Sequence, residues 1–381
     1  MRIPSTTDHN PFRVVIAGGG VAGLEAALAL HDLAGEAVDV TVIAPDPEYV
    51  CRAITVQEPF SYPAARRYRV SDIARDAGAN LLQDSFGRVD LDDRTVHTDT
   101  ETLPYDALIL ALGATRRARF PRAATLDDRQ LDDTLHGVLQ DLEEGNVHSL
   151  VFLMPAAGCW PIPIYELALM SAARAYDMNV EVDITIVTPE REPLEAFGPE
   201  ASAAVSALLT ERGIVTEVDA DPQVPSSRRV VVRPGGREIE ADRVMALPEL
   251  VGPGVRGLRA GRKGFVPVDR FCRARDAPGV FAVGDVADFP IKHGGLASQQ
   301  ADVAAQGVAE LAGVPITVTP FTPVIHGMLL TGADPLYLRA TVIGTSGFSS
   351  QVSAQPISSP PAKVVAKYLG PYLERVDQAA T

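Results

Sequence analysis

Gly18, Gly20 and Gly23 stand at the spacing G-x-G-x-x-G within RVVIAGGGVAGLEAALAL. A turn of this kind can hold the diphosphate of a dinucleotide. Gly18 permits the tight turn, Gly20 lets the backbone approach the phosphates, and Gly23 lets the next helix pack close to the strand. The unpaired N–H groups of the helix start, at Val21 and Ala22, then face the anion. The acid that ordinarily ends the second strand and takes the ribose is replaced by Ala44, which leaves Asp46 or Glu48 slightly further along. The turn alone does not separate a flavin from a nicotinamide dinucleotide.

A second chemical cluster lies in PAAGCWPIPIYELALM, residues 155–170. Cys159 is a nucleophile or a packed thiol. Trp160 floors a pocket or fills a seam. Glu166 moves a proton or forms a structural ion pair. A third lies in GVFAVGDVADFPIKHGG, where Asp285 ends a strand and Lys292 and His293 precede a helix. Lys292 is either a solvated loop lysine or a cation at the edge of a bound ring.

The elements that must carry these residues are legible from pattern. Phe12 to Ala17 is a β-branched run suited to a buried parallel strand, and Leu24, Ala27, Leu28 and Leu30 recur at helical spacing. Asp39 to Ile43 is a second strand. The glycines therefore sit at the first turn of a βαβ unit, the context that gives the motif its meaning. Tyr105 to Ala114 reads as a strand ending in a small-residue turn. Asp127 to Glu144 reads as an amphipathic, acidic connecting helix. Ser149 to Met154, a helix over Tyr165–Tyr176 and Glu181 to Val187 form a second βαβ frame. Its turn lacks the glycine fingerprint: Pro161 and Pro163 stand there, and proline has no N–H to offer a phosphate. Arg243 to Leu247 and Val280 to Val283 are further strands, and a helix starts near Gly295.

Taken together, the glycine turn, Ala111-Leu112-Gly113 and Gly284-Asp285 resemble the two-dinucleotide-binding-domain flavoproteins. VTVIAPDPEYVCRAI and GGLASQQADVAAQ are most similar to the branch of type II NADH dehydrogenases and sulfide:quinone oxidoreductases. The resemblance implies an α/β fold with two Rossmann-like units. Residues 1–114 and 265–320 would form a discontinuous FAD-binding domain, 115–264 an inserted NAD(P)-binding-like domain, and 321–381 a small capping or interface unit. It implies FAD as cofactor, with Asp285 on the ribityl chain and Gly284, Ala111 and Gly113 beside it. The remaining candidate contacts are Asp46, Arg52, Val89, Gly295 and Leu296. A helix dipole at the ring edge would stabilise the negative charge of the reduced flavin.

In sulfide:quinone oxidoreductases a reactive cysteine lies where Cys159 stands, with a continuation resembling Pro163-Ile164-Tyr165-Glu166. A helix N-terminus there would lower the thiol pKa. The partner cysteine of that family's C-terminal region is missing. Cys51 could pair with Cys159 only if the fold brings them within disulfide reach, and Cys272 takes a structural place. Cys159, Lys292 and Glu166 are the catalytic candidates.

Composition narrows the classes. The 381 residues carry a net charge of −15, which disfavours nucleic acid and anionic lipid as partners. No apolar run is long enough to span a bilayer, the N-terminal stretch lacks the apolar core of a secretory signal, and the cysteines show no metal spacing. These features suggest a cytoplasmic protein. The tail PPAKVVAKYLGPYLERV places Val364, Val365, Tyr368, Leu369, Tyr372 and Leu373 on one helical face interrupted at Gly370-Pro371. Packing on the body or in a homodimer is expected of it rather than peripheral membrane contact. The leading expectation is an FAD-dependent oxidoreductase working between a small-molecule donor, NAD(P)H among the candidates, and a quinone or other small acceptor. The alternatives are a thiol-assisted sulfide or sulfur-compound oxidoreductase using Cys159, and a flavin-bearing interaction or sensor protein without turnover.

Overall fold

The computed structural model describes residues 11–156, 159–343, 347–358 and 362–379. Its frame is a pair of five-stranded sheets. The first runs Val280–Ala282, Ala107–Leu110, Phe12–Ala17, Val38–Ile43, Asn80–Leu82, with every pairing parallel. The second runs Ala124–Thr125, Arg243–Ala246, Ser149–Leu153, Asp183–Val187, Val215–Glu217, again parallel throughout. Both centres are buried apolar runs, VVIA within Phe12–Ala17 and LVFL within Ser149–Leu153, because each sheet is covered on both faces. The first sheet takes its outer strand from residues 280–282, so the second sheet is inserted within it. The outgoing strand Thr115–Arg117 and the returning strand Glu249–Val251 pair antiparallel where the chain crosses.

Among the described residues seven α-helices complete the frame: α1 (Val21–Ala34), α2 (Val70–Asp76), α3 (Leu131–Glu143), α4 (Ile162–Asp177), α5 (Pro199–Glu211), α6 (Gly294–Leu311) and α7 (Leu369–Ala379). The small-residue faces of α1 and α6 pack on each other over the first sheet. The amphipathic helix expected before the second sheet is α3, which buries Leu131, Leu135, Val138, Leu139 and Leu142 and opens on Asp132 and Asp133, favourable charges at a helix N-terminus. The last part of the chain forms a three-stranded antiparallel sheet (Val324–Leu329, Leu336–Ile343, Gly347–Ser353) and the tail.

The tail departs from the helical pattern read across residues 364–373. Residues 362–368 are not helical, and α7 begins only at Leu369. Two local causes explain this. Glu25, fully buried on α1, accepts the backbone N–H groups of Lys367 (2.6 Å), Tyr368 (3.0 Å) and Leu369 (2.6 Å), so a distant carboxylate caps the new helix. Pro371 then falls in the first turn, where its missing N–H costs nothing. Gly370-Pro371 starts the helix instead of interrupting it.

Candidate active site

One cavity of about 750 Å³ lies between the two sheets and the tail. It begins at the glycine turn. Gly18 has φ +124°, donates its N–H to Ile43 O at 2.8 Å, and has no room for a Cβ, which would lie 2.2 Å from Ala111 O. Gly23 presses α1 onto the same turn, since its Cβ would lie 1.8 Å from Gly18 O. Gly20 is the opposite case: nothing lies within 4 Å of its Cβ position, and it opens onto the cavity as the N-cap of α1. Val21, Ala22, Ala111 and Gly113 share this wall, with Asp46 and Glu48 exposed at its end. Arg52 also faces the cavity, half-buried, and burial lowers its pKa from the ordinary value.

The far strand of the sheet brings Asp285 to the same space. Gly284, at φ +71°, donates its N–H to Gln300 Oε1 on α6 at 2.7 Å. Asp285 follows on the cavity wall, where burial raises its carboxyl pKa while the charges of Lys292 and Arg116 oppose the rise. Lys292 is buried rather than solvated. Its ammonium donates to Asp285 O (3.1 Å) and Ala287 O (2.5 Å) and lies 3.7 Å from the Phe265 ring centroid. Burial brings its pKa down to about 8.

Three expected contacts are placed differently. Val89 is 2 % exposed, packed in the core with Val96 and Leu108, and absent from the cavity wall. Its strand begins at Phe86, and the turn that feeds it (Ser85, Phe86 and Gly87) reaches the cavity instead. Gly295 and Leu296 also miss the wall. The cavity sees the Gly294 and Ala297 face of α6, one turn of helix apart. Gly295 backs onto the His293 ring, and Leu296 points into the core and donates its N–H to His293 Nδ1 at 3.3 Å. That bond makes His293 the N-cap of α6, and burial brings its pKa down to about 3, so the ring is neutral.

The second βαβ frame supplies the opposite wall. Cys159, Trp160, Ile162, Pro163 and Glu166 line it from the start of α4. Burial pushes the Cys159 thiol up to about 12, with the Glu190 and Glu249 charges adding to the effect, the reverse of a helix-activated thiolate. Burial also raises the Cys51 thiol on the cavity wall. Cys51, Cys159 and Cys272 are all free thiols, and Cys272 is core. Trp160 faces the cavity and bridges Phe197 (5.7 Å between ring centroids) to His293 (4.6 Å). Glu166 is fully buried and pairs with Lys363 of the tail, while Leu330 N donates to it at 2.9 Å. Lys363 and Val364 therefore close one side of the cavity. Pattern reading missed Lys363; the available signal was a lone cation in the otherwise apolar stretch PPAKVVA.

The acid of the second frame is spent internally. Glu190 follows the Asp183–Val187 strand, where a ribose-binding acid would stand. It accepts the Tyr165 hydroxyl at 2.6 Å and that of Thr188 at 3.1 Å, and burial raises its pKa to about 7.

Residues 12–148 and 166–307 match the family described as pyridine nucleotide-disulphide oxidoreductase. The chain belongs to that family. It is accordingly an oxidoreductase. The unmatched gap of the family alignment, residues 149–165, contains the turn with Pro161 and Pro163. Among relatives, an NADH dehydrogenase-like protein of Mycobacterium tuberculosis is 28% identical over 305 residues, 72% of each chain. Among solved structures, the sulfide:quinone oxidoreductase of Aquifex aeolicus superposes with TM-score 0.78 at 20% identity, covering 90% of this chain and 87% of that one. A NAD-dependent persulfide reductase from A. fulgidus gives TM-score 0.63 at 19% identity over 88% of this chain and 64% of that one. At these identities the two structures speak for the fold. No helix among the described residues is long and apolar enough to cross a membrane.

Proposed function

We propose that this family member is an FAD-dependent oxidoreductase that takes electrons from a small-molecule donor and passes them to a quinone or similar small acceptor. The observation that carries the reading is the single cavity joining the Gly18–Gly20 turn to Asp285 and the start of α6. When bound, FAD supplies two-electron redox chemistry, and the protein supplies orientation and electrostatics.

The chain's own groups suit that task. The turn and the N-terminus of α1 offer N–H groups to a diphosphate, with Gly20 leaving space for it. The Asp285 carboxylate receives no hydrogen bond from the described residues, so it is free to accept from ribityl hydroxyls. Lys292, with its pKa of about 8, remains mostly cationic at neutral pH and stabilises negative charge developing nearby. Trp160, Ile162, Met328 and Val364 give the opposite wall an apolar surface suited to a planar ring, and the Lys363 ammonium stands there as a donor to a carbonyl.

The degenerate second turn and the internally bonded Glu190 support a donor that reaches the cavity directly over a nicotinamide dinucleotide lying along the second sheet. A sulfur donor activated by Cys159 has less support, because that thiol holds its proton tightly. The test is anaerobic stopped-flow spectroscopy of the flavin band with NADH, NADPH and sulfide in turn, on wild type and Asp285→Ala. The variant is expected to lose flavin during purification. A colourless wild type that takes up no added FAD would remove the reading.

A further inference from the structure

We propose that His293 is a positioning residue for the cofactor's reduction: its ring caps α6 so that the Gly294 N–H stays unpaired at the cavity wall, and this sets how readily a bound flavin is reduced. The inference rests on the FAD reading above and assigns to it a residue that acts through the helix it caps. Its basis is the way the first turn of α6 is held. A helix leaves its first N–H groups without partners of its own. Ala297 donates to His293 O at 2.9 Å, and Leu296 donates to His293 Nδ1 at 3.3 Å. Gly294 and Gly295 remain, and no described residue accepts the N–H of either. Gly294 lies on the cavity wall, so the partner of its N–H is whatever occupies the cavity.

Three neighbours fix the imidazole. Its second nitrogen bonds the His326 backbone on the Val324–Leu329 strand. Trp160, just before α4, stacks on it with ring centroids 4.6 Å apart. Gly295 backs onto the ring, where a Cβ would come within 2.9 Å of Cε1, so a larger residue would push the cap aside. The first domain, the inserted one and the terminal sheet thus meet on one side chain. The two hydrogen bonds select a single tautomer, with Nδ1 accepting and Nε2–H donating. That tautomer carries no charge, and a second ring proton would face the Leu296 N–H. Lys363, paired with Glu166, and His326 are the titratable groups beside the ring, and both oppose that proton, as burial does.

The choice of cap has an electrical consequence. Uptake of two electrons and one proton from the small-molecule donor leaves one added negative charge at this end of the cavity. The unpaired N–H and the positive end of α6 stabilise that charge. Aspartate is among the usual N-caps, but it would set a fixed negative charge beside the one that forms. A residue with no side-chain acceptor would leave the Leu296 N–H buried and unpaired. A neutral ring wedged between Trp160 and Gly295 does neither. The same bonds rule out proton transfer by His293. Its lone pair is taken by Leu296 and its proton by the His326 backbone, so it positions and does not react.

The test compares His293→Asn and His293→Asp, two caps of equal size that differ in charge, in the full-length protein. Each is loaded with FAD and its reduction equilibrium is measured against reference dyes at neutral pH. His293→Asn should stay within about threefold of wild type, since it caps without charge. His293→Asp should be harder to reduce by about tenfold or more, about 30 mV for two electrons, while melting close to His293→Asn. Equal equilibria in wild type and His293→Asp, or a shift in His293→Asn as large as in His293→Asp, would overturn the proposal. A second measurement needs no cofactor. Nitrogen NMR of the ring in cofactor-free wild type, assigned by its loss in His293→Asn, should show the neutral Nε2–H tautomer from about pH 5 to about pH 8. A ring that titrates in that range, or holds its proton on Nδ1, cannot accept from Leu296 and would also overturn the proposal. Should His293→Asp fail to fold, the tautomer decides alone. A yellow protein indifferent to His293→Asp defeats this inference alone. A wild type that takes up no FAD defeats the flavin reading, while the ring spectrum still reports the cap.

Discussion

Glu166 and Lys363 meet across 197 residues of chain as a buried ion pair on the cavity wall. Side-chain exposure is 0% for the acid and 7% for the lysine, and the second Glu166 oxygen has no partner among the described residues. One carboxylate thus ties α4, the loop at Leu330 and the tail together. Removing only the cation leaves a buried charge unpaired, so Lys363→Met should destabilise the fold by about 3–5 kcal/mol. Glu166→Leu together with Lys363→Met should recover most of that loss. Urea unfolding of the four proteins of the cycle measures it, and additive single effects would show that the two side chains do not couple.

The glycine turn separates folding from binding. Gly23→Ala should fail to fold stably, because the new methyl overlaps Gly18 O, and Gly18→Ala should be damaged through both its φ and Ala111 O. Gly20→Ala meets no protein atom. It should keep the melting temperature of the flavin-free protein and lose cofactor affinity by about tenfold or more, since the methyl takes the space of the diphosphate. Flavin fluorescence titration reads this, and undiminished affinity in Gly20→Ala would place the diphosphate elsewhere.

Cys159 offers a kinetic check. With its pKa at about 12, almost none of the thiol is thiolate at neutral pH. Iodoacetamide at pH 7.5 should modify it roughly 10 times more slowly or worse than a free thiol, with normal rates regained in denaturant. Mass spectrometry of the peptide containing Cys159 decides the point. A rapid first-turn burst would mean an activated nucleophile.

Asp302 and Glu25 give a pH signature. Burial and the neighbouring Glu25 charge push Asp302 up to about 7 from an ordinary value of 3.8. The folded protein therefore holds a proton that the unfolded chain releases near pH 4. Stability contributed by this group is lost as pH rises from about 4 through about 7. Asp302→Asn should match wild type near pH 4 and exceed it at pH 8 by about 1–3 kcal/mol. Urea midpoints across that range test the sign; a variant less stable than wild type at pH 8 would reverse it.

Much of the frame was legible because local pattern dictates it. A continuous β-branched run followed by glycines and a small-residue helix can bury itself only as a strand–turn–helix, and Phe12–Ala34 does so. The amphipathic spacing of α3 worked for the same reason. Legibility failed where a partner came from far along the chain. Residues 364–368 have helical periodicity, but Glu25 captures the N–H groups of Lys367–Leu369 and sets the helix start there. Val89 and Leu296 lie off the cavity wall because a strand or helix shows one face to a cavity and the other to the core, and a few residues of register decide which.

The sequence by itself determined the two parallel-sheet frames, the glycine turn and the loss of the second one, since these depend on steric and hydrogen-bonding limits within short stretches of chain. Only the tertiary structure decided that Lys363 closes the cavity, that Glu190 is taken by Tyr165, and that the Cys159 thiol is protonated. Each of those outcomes depends on burial and on charges brought together from distant segments, and desolvation has no signature in the order of residues.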